Sequence, residues 1–487
     1  MANVAIVIAV AVVVISLLYQ CMKSTYSSRV QQVAKATTGD QKLQKSRTIP
    51  GMEKRHPEDG NLQDIADAGG LIQFLFKLHA KYGHVASFWF GKHYYVSLAS
   101  PEAWKDHMKY FDRPSHLFEF IMPLVGEYSI QFANGEDAKR RRKAYDVAFQ
   151  SNSIKKYLKS FQERADDLAE KISSFPSGEH IPLRESISSF GSKAFGRVLF
   201  GDYFEDEKRA LKLYNVYQTT SDLLIKRMNN IEDENDKEFD VAIRAFREVI
   251  DDAVRHRHDN PPRKEEEDSD FLEVLLGFCT NEEHLFSEAI SYYVGGYHTS
   301  VALLVWVFYF LSKDMDAQDK VYREIIEVLG KEQYVDAQSQ TQLKYLRRFM
   351  DETLRWAVIA ALAARVNYEE DTKVLEYIIP KGVGVVHALA AVLLDKDMWP
   401  DPDRFDPDRF LPENLSARHK LAFSPFGFAG KRICPGYRFA YAEATVLLTS
   451  LCRKFKFRLV EGQDIQRNFG MTTYPDKEIL VLVEKRQ

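Results

Sequence analysis

FSPFGFAGKRICPGYRFAYAE, residues Phe423 to Glu443, is the stretch from which the rest of the chain can be read. Cys434 is followed by Pro435, Gly436 and a helical run, which places its sulfur at a helix N-terminus, where backbone N–H groups and the dipole favour the thiolate. Gly427, Gly430 and Gly436 let the backbone turn tightly and come close to whatever the sulfur binds. Arg432, two residues before the cysteine, offers a planar fork suited to a carboxylate. A lone cysteine in a loop is ordinarily a packed core residue. The combination here suits instead a thiolate iron ligand beneath a flat cofactor with an acidic substituent.

The remainder of the 487-residue chain fits a folded body tethered to a membrane. Its 66 Lys and Arg against 70 Asp and Glu leave a net charge of −4, which supplies no nucleic-acid-scale positive field. Four cysteines, Cys21, Cys279, Cys434 and Cys452, are too sparse for a disulfide scaffold or paired zinc sites. Length alone suggests about three domains, although one large helical body accounts for it equally well. Val4 to Tyr19 is uncharged and apolar apart from Ser16. From Asn3 to Met22 it would reach ~30 Å as a helix, one hydrocarbon core. A cleaved secretory signal is the competing reading, but no basic leader precedes the run and no small-x-small site follows it. Lys23, Arg29, Lys35, Lys42, Lys45 and Arg47 follow, placing the body on the cytosolic side. The division expected is therefore an anchor over 1–22, a polar linker over 23–49 and a single body over 50–487.

Within the body, Leu71 to Tyr82 has helical spacing and ends at Gly83; Val85 to Phe90 and Tyr94 to Leu98 read as strands; Pro101 opens another helix. Ser153 to Ser173, Glu205 to Arg227, Phe239 to Arg257, Phe286 to Leu311 and Ala317 to Leu329 carry apolar positions at three and four. The fourth is apolar nearly all round, as a helix in the middle of a protein would be, with a second membrane span as the weaker reading. Arg255 to Asp270, with its charges and paired prolines, reads as an exposed loop. Short β-type runs at Val374 to Ile379, Val383 to His387 and Ile479 to Val483 complete a mainly α body with a small β part.

The cysteine loop resembles the haem-thiolate signature of the cytochromes P-450, matched here at Gly430, Arg432, Cys434, Gly436, Ala440 and Glu443. Glu352-Thr353-Leu354-Arg355 resembles that family's E-x-x-R helix, and Phe405 to Phe410 (FDPDRF) its P-E-R-F segment. Phe111-x-Arg113-Pro114, Asn134-Gly135-Glu136 and Trp399-Pro400-Asp401-Pro402 extend the resemblance. Asp59 to Gly91, FDPDRF and the spacing of the cysteine loop look like the orphan branch known as family 20. The resemblance implies a P-450-like fold and haem b with its iron on Cys434. It further implies haem contacts from Arg432, Arg142, Arg365, Gly430, Gly436 and Phe428, and a buried triad of Glu352, Arg355 and Arg409. Two departures stand out. Ala138 occupies the place of a tryptophan that donates to a haem propionate, and Gly427 replaces the phenylalanine seven residues before the cysteine, leaving Phe426 or Phe428 to pack near the sulfur.

In the same family the central helix crosses the distal haem face as [A/G]-G-x-[D/E]-T. Gly295 and Gly296 leave room there, Thr299 supplies a hydroxyl, and His298 stands where the acid should be. Proton delivery for O–O cleavage would then pass to an imidazole. Close helix packing at the glycines, and a Thr299 bonded only to its own helix, are the plainer readings. The resemblance implies a monooxygenase that puts one oxygen atom of dioxygen into a lipophilic small molecule. An NADPH-dependent flavoprotein reductase, with cytochrome b5 as a further candidate, would supply electrons at an endoplasmic-reticulum membrane. The basic run Lys139, Arg140, Arg141 and Lys143, with Lys431, is a candidate docking face. A peroxide-using or isomerising haem-thiolate enzyme, and a non-catalytic haem sensor, are the alternatives. Pocket positions are expected within Ser115 to Tyr128 and Thr219 to Ile231.

Overall fold

In LIQFLFKLHAKY (α1, Leu71–Tyr82) the apolar residues fall on one stripe, and Ile72, Phe74, Leu75 and Leu78 are buried by it. Gly83, at φ 88°, ends the helix and turns the chain into a hairpin. Strands β1 (Val85–Phe90) and β2 (His93–Leu98) pair antiparallel from Val85↔Leu98 to Phe90↔His93. Ser100 then caps helix α2 (Pro101–His107), its hydroxyl accepting from Ala103 N–H at 3.2 Å, with Pro101 pre-set for the first turn. These elements come from a computed structural model that describes residues 48–228, 234–261, 271–428 and 432–486. The expected anchor and all but the last two residues of the expected linker lie outside the described residues, as do Gly430 and Lys431. Ile49–Gln487 forms one compact unit.

The sheet carrying the hairpin is completed by β3 (Ala363–Val366) and β4 (Gly384–His387), in the order β1-β2-β4-β3, with β4 parallel to β2. The rest of the body is mostly helical. The helices used below are α3 (Gly135–Tyr145), α4 (Ser151–Ser174), α5 (Leu183–Phe200), α6 (Glu207–Met228), α7 (Glu234–Asp259), α8 (Glu282–Tyr293), α9 (Thr299–Lys313), α10 (Met315–Leu329), α11 (Lys344–Ala357) and α12 (Tyr437–Lys454). Val294–His298 joins α8 to α9 as a π-turn, so that Glu282–Lys313 runs as one interrupted helix. Every residue of α9 from Ser300 to Ser312 is buried, and most of the long helix lies inside the protein, as the sequence reading expects of its central segment.

Two expectations need correction. Arg255 to Asp259 is the end of α7 rather than the start of a loop: Arg255, His258 and Asp259 are exposed, whereas Arg257 is buried and reaches Glu273 at 3.4 Å. Leu183–Phe200, which the sequence reading passes over, is a helix buried on almost every face. Its buried Ser186, Ser188, Gly191, Ser192 and Gly196 let neighbouring helices approach closely while blurring the apolar period.

Candidate functional site

Cys434 lies just before α12, whose N-terminal flank is Gly436. Its own N–H donates to Phe426 O at 3.0 Å, folding the loop back on itself, and Gly427 at φ 80° provides the left-handed residue that this reversal needs. The Cys434 side chain is exposed, yet burial is the largest influence on its thiol and pushes it up. A surface that is accessible and also deep faces an internal space. The Gly436 N–H and the Arg142 and Arg113 guanidiniums pull the other way, in the sense expected for a helix N-terminus, but desolvation outweighs them. Phe428 is buried against Trp104 (5.0 Å between ring centroids) and His387 (4.6 Å), whereas Phe426 faces Tyr441 (5.4 Å).

Arginines from four segments converge beside this loop. Arg432 donates to Ile130 O (2.8 Å) and Ala133 O (3.0 and 3.1 Å), and its buried Nε has no partner among the described residues. Arg365, on β3, donates to Ala364 O (2.7 Å) and Arg432 O (3.3 Å). Arg142, on α3, is held by Asp146 (2.7 and 3.0 Å) and donates to Ile433 O at 2.8 Å. The fourth, Arg113, stands in the Phe111-x-Arg113-Pro114 pattern, which by itself gives it no place among the expected haem contacts. Its backbone is pinned to the start of α3 by Asn134, which accepts from Arg113 N–H (2.9 Å) and donates to Arg113 O (2.8 Å), and its guanidinium bonds Gln131. The Arg113 backbone is thus held at Asn134, one turn before the fully buried Ala138, where the related pattern has a tryptophan.

Burial and then mutual repulsion depress three of these cations: Arg432 is pushed down to about 9, Arg365 to about 10, and Arg113 well below the usual arginine range, whereas Asp146 keeps Arg142 raised. Among the described residues, only Arg142 of the four has a carboxylate salt-bridge partner. A buried group of guanidiniums bonded mainly to carbonyls is a site short of anions. Arg365, Arg432, Phe428 and Phe111 also line a small cavity of about 30 Å³.

Glu352 and Arg355 are fully buried on α11 and meet bidentately at 2.7 and 2.8 Å. Glu352 also accepts from Asp406 N–H (2.9 Å) and lies 3.4 Å from Arg409 Nε, so the two sequence segments quoted for the triad come together. Arg355 reaches on to Pro402 O (2.8 Å) and Leu393 O (3.2 Å), and Arg409 to Asp401 O (2.7 Å).

On the long helix the paired glycines differ. Gly295 is exposed within a core helix, and a Cβ there would meet no atom within 4 Å; at Gly296 a Cβ would lie 1.9 Å from the Phe195 ring. Gly295 therefore borders open space, and Gly296 is a close-packing residue. Thr299 donates to Gly295 O at 2.7 Å. His298 Nδ1 lies 2.7 Å from the Tyr217 hydroxyl, and burial holds its imidazole down at about 3. The basic run on α3 is largely compensated: Lys139 pairs with Glu136 (2.6 Å), Arg140 with Asp137 (3.0 Å), and Arg141 with Asp137 (2.6 Å) and the buried Glu288 (3.1 Å). It offers much less free positive charge than its sequence promises.

A family model for cytochrome P450 matches residues 50–483. The chain is 30% identical over 445 residues to the rat protein named cytochrome P450 20A1, covering 90% of this chain and 93% of that one. Its human counterpart is 29% identical over 442 residues, with the same coverage. The Streptomyces melanosporofaciens cyclooctat-9-en-7-ol 5-monooxygenase is 24% identical over 365 residues, covering 71% and 76% of the two chains.

Proposed function

Since this chain belongs to the cytochrome P450 family, and is a monooxygenase of that type, we propose that Cys434 is the thiolate ligand of haem b and that a lipophilic small molecule is oxidised beside Gly295 and Thr299. The observation that carries the assignment is the anion-poor guanidinium group around a deep but accessible cysteine sulfur. It fits a flat dianionic cofactor: Arg432, Arg365 and Arg113 would hold the propionates, Arg142 would brace the loop through Ile433, and Phe428, Gly430 and Gly436 would border the ring. Bound haem supplies the iron that activates dioxygen. Within the chain, the Cys434 N–H bond to Phe426 O keeps the loop folded on itself, and the Glu352–Arg355–Arg409 triad ties α11 to the Asp401–Arg409 segment.

Electrons would come from NADPH through a flavoprotein reductase, with cytochrome b5 as a second donor. The apolar N-terminal run supports a single-pass endoplasmic-reticulum anchor with the body in the cytosol. The test is the spectrum of the reduced, carbon-monoxide-bound protein, then NADPH- and reductase-dependent oxygen consumption during a screen of lipophilic compounds for spin-state changes. Thiolate ligation lost in Cys434→Ser is the expected result. Normal ligation in that variant would overturn the assignment, and turnover with peroxide but not with reductase would favour the peroxide-using reading.

A further inference from the structure

Where a carboxylate is the usual occupant, this chain has an imidazole with a partner of its own. Val294–His298 is a π-turn inside a core helix, a distortion frequent at functional sites. Tyr474 donates to His298 O at 2.6 Å and braces the turn from one side. From the other, the hydroxyl of Tyr217 on α6 lies 2.7 Å from His298 Nδ1. A phenol is the stronger acid of this pair and an imidazole nitrogen the stronger base, so the hydroxyl donates to Nδ1 and the ring carries its proton on Nε2. Ser221 is buried one turn further along α6, on the same helix face as Tyr217. Tyr217 and His298 thus form a hydrogen-bonded pair of proton-exchanging groups at the turn that contains Gly295 and Thr299, with Ser221 one helical turn behind the phenol.

Packing alone does not account for the hydroxyl. The Tyr217 ring sits edge-on to Tyr297 (5.2 Å), Tyr293 (5.5 Å) and Phe246 (6.1 Å), a setting that phenylalanine would fill equally well. The one charged group acting on His298 is Arg184, which lies over the Tyr474 ring at 4.5 Å. Half-buried and desolvated, the imidazole is held toward its neutral form rather than storing a proton. It can still pass one, by accepting at Nδ1 as it releases at Nε2.

We propose that Tyr217, with Ser221 behind it, is a positioning residue that feeds protons through His298 to the Gly295–Thr299 turn, in place of the carboxylate. The proposal rests on the monooxygenase reading. For each proton, one enters at the Ser221 end and one leaves His298 Nε2; Tyr217 ends as the neutral phenol, His298 ends as the other neutral tautomer, and no electron moves. The ring must return to its first tautomer before the next transfer, so delivery is one proton at a time.

The experiment compares wild type, Tyr217→Phe, Ser221→Ala and His298→Gln as haem-loaded protein. The first readout is independent of turnover: ¹⁵N-histidine spectra should assign an unprotonated, hydrogen-bonded Nδ1 to one histidine, and Tyr217→Phe should shift that signal alone. The second is NADPH-driven oxygen consumption with a flavoprotein reductase in H₂O and D₂O. Tyr217→Phe and His298→Gln should lower the water-forming fraction about tenfold or more, in favour of released peroxide, and raise the solvent isotope effect. Ser221→Ala should do the same to a smaller degree. Wild-type turnover with an unchanged peroxide fraction and isotope effect in Tyr217→Phe overturns the relay and leaves the oxygenase reading intact. A wild type that consumes no oxygen with reductase sinks that reading and the relay with it. A histidine spectrum with Nδ1 protonated reverses the hydrogen bond and also overturns the proposal.

Discussion

Replacing Glu443 by glutamine should stabilise the protein, and by an amount that grows with pH. Glu443 sits on α12, nine residues after Cys434, and is 1% exposed. Neither carboxyl oxygen has a hydrogen-bond partner of good geometry among the described residues; the Ser300 hydroxyl is near enough only to oppose the effect of burial in part. Desolvation therefore pushes the group up from 4.5 to about 8. The folded protein keeps this proton over a range where the unfolded chain has lost it. Stability from this residue is full below about pH 4.5, falls as pH rises, and levels off above about pH 8. At ~1.4 kcal/mol per pH unit, the whole fall is on the order of 5 kcal/mol. Glu443→Gln keeps the shape without the proton equilibrium, so the difference between variant and wild type isolates this one group from every other titration. Urea midpoints of both proteins at about pH 5.5, 6.5 and 7.5 should separate by ~1.4 kcal/mol per unit. Parallel pH profiles for the two would refute the reasoning, since they would mean that Glu443 ionises in the fold as it does in the unfolded chain.

The paired glycines give a contrast in one helix: Gly296→Ala should cost about 1–3 kcal/mol in urea unfolding, because the new methyl meets the Phe195 ring, whereas Gly295→Ala should fold normally and change spin-state responses to added lipophilic compounds. Glu352→Gln leaves Arg355 buried without its bidentate partner and should lower stability by about 3–5 kcal/mol, measured by the same unfolding assay. Arg113→Gln and Arg432→Gln should each speed haem transfer to a scavenging apoglobin by about ten- to a hundredfold, with Arg113→Lys in between. Asp314→Ala removes the side chain that accepts from Ala317 N–H at the start of α10 and should cost about 1 kcal/mol without affecting haem retention.

What sequence made legible here is what depends on near neighbours. The spacing and Gly83 define α1, a short connection beginning at Gly91 joins β1 to β2, with His93 already in the second strand, and Pro101 opens α2, because each signal and the structure it dictates lie within a few residues. Helix α5 escaped because serines and glycines buried against other helices look polar or breaking when their neighbours are unknown. The end of α7 escaped for the converse reason, a charged run that is compatible with a solvated helix face as well as with a loop. The site divides along the same line. The cysteine loop carries its own chemistry, whereas Arg113 is one arginine in a connecting segment until Asn134, 21 positions on, fixes it at the head of α3.

His298 shows the limit most clearly, and why it matters for mechanism. Its place in the helix is readable from Gly295, Gly296 and Thr299, but its chemistry depends on which way the ring faces and on what meets it there. That partner, Tyr217, is 81 positions away on another helix. With only the sequence, an imidazole in the acid's place reads as a group that passes protons, with nothing to say whether it titrates. Buried against a phenol, it stays neutral through the physiological range and is useful only as part of a chain. The two descriptions lead to different pH behaviour. A titrating histidine would put an inflection near pH 6.5 into reductase-driven turnover, and the inflection would vanish in His298→Gln. The neutral, hydrogen-bonded ring predicts the same pH profile before and after that substitution, with only its height and its isotope effect changed.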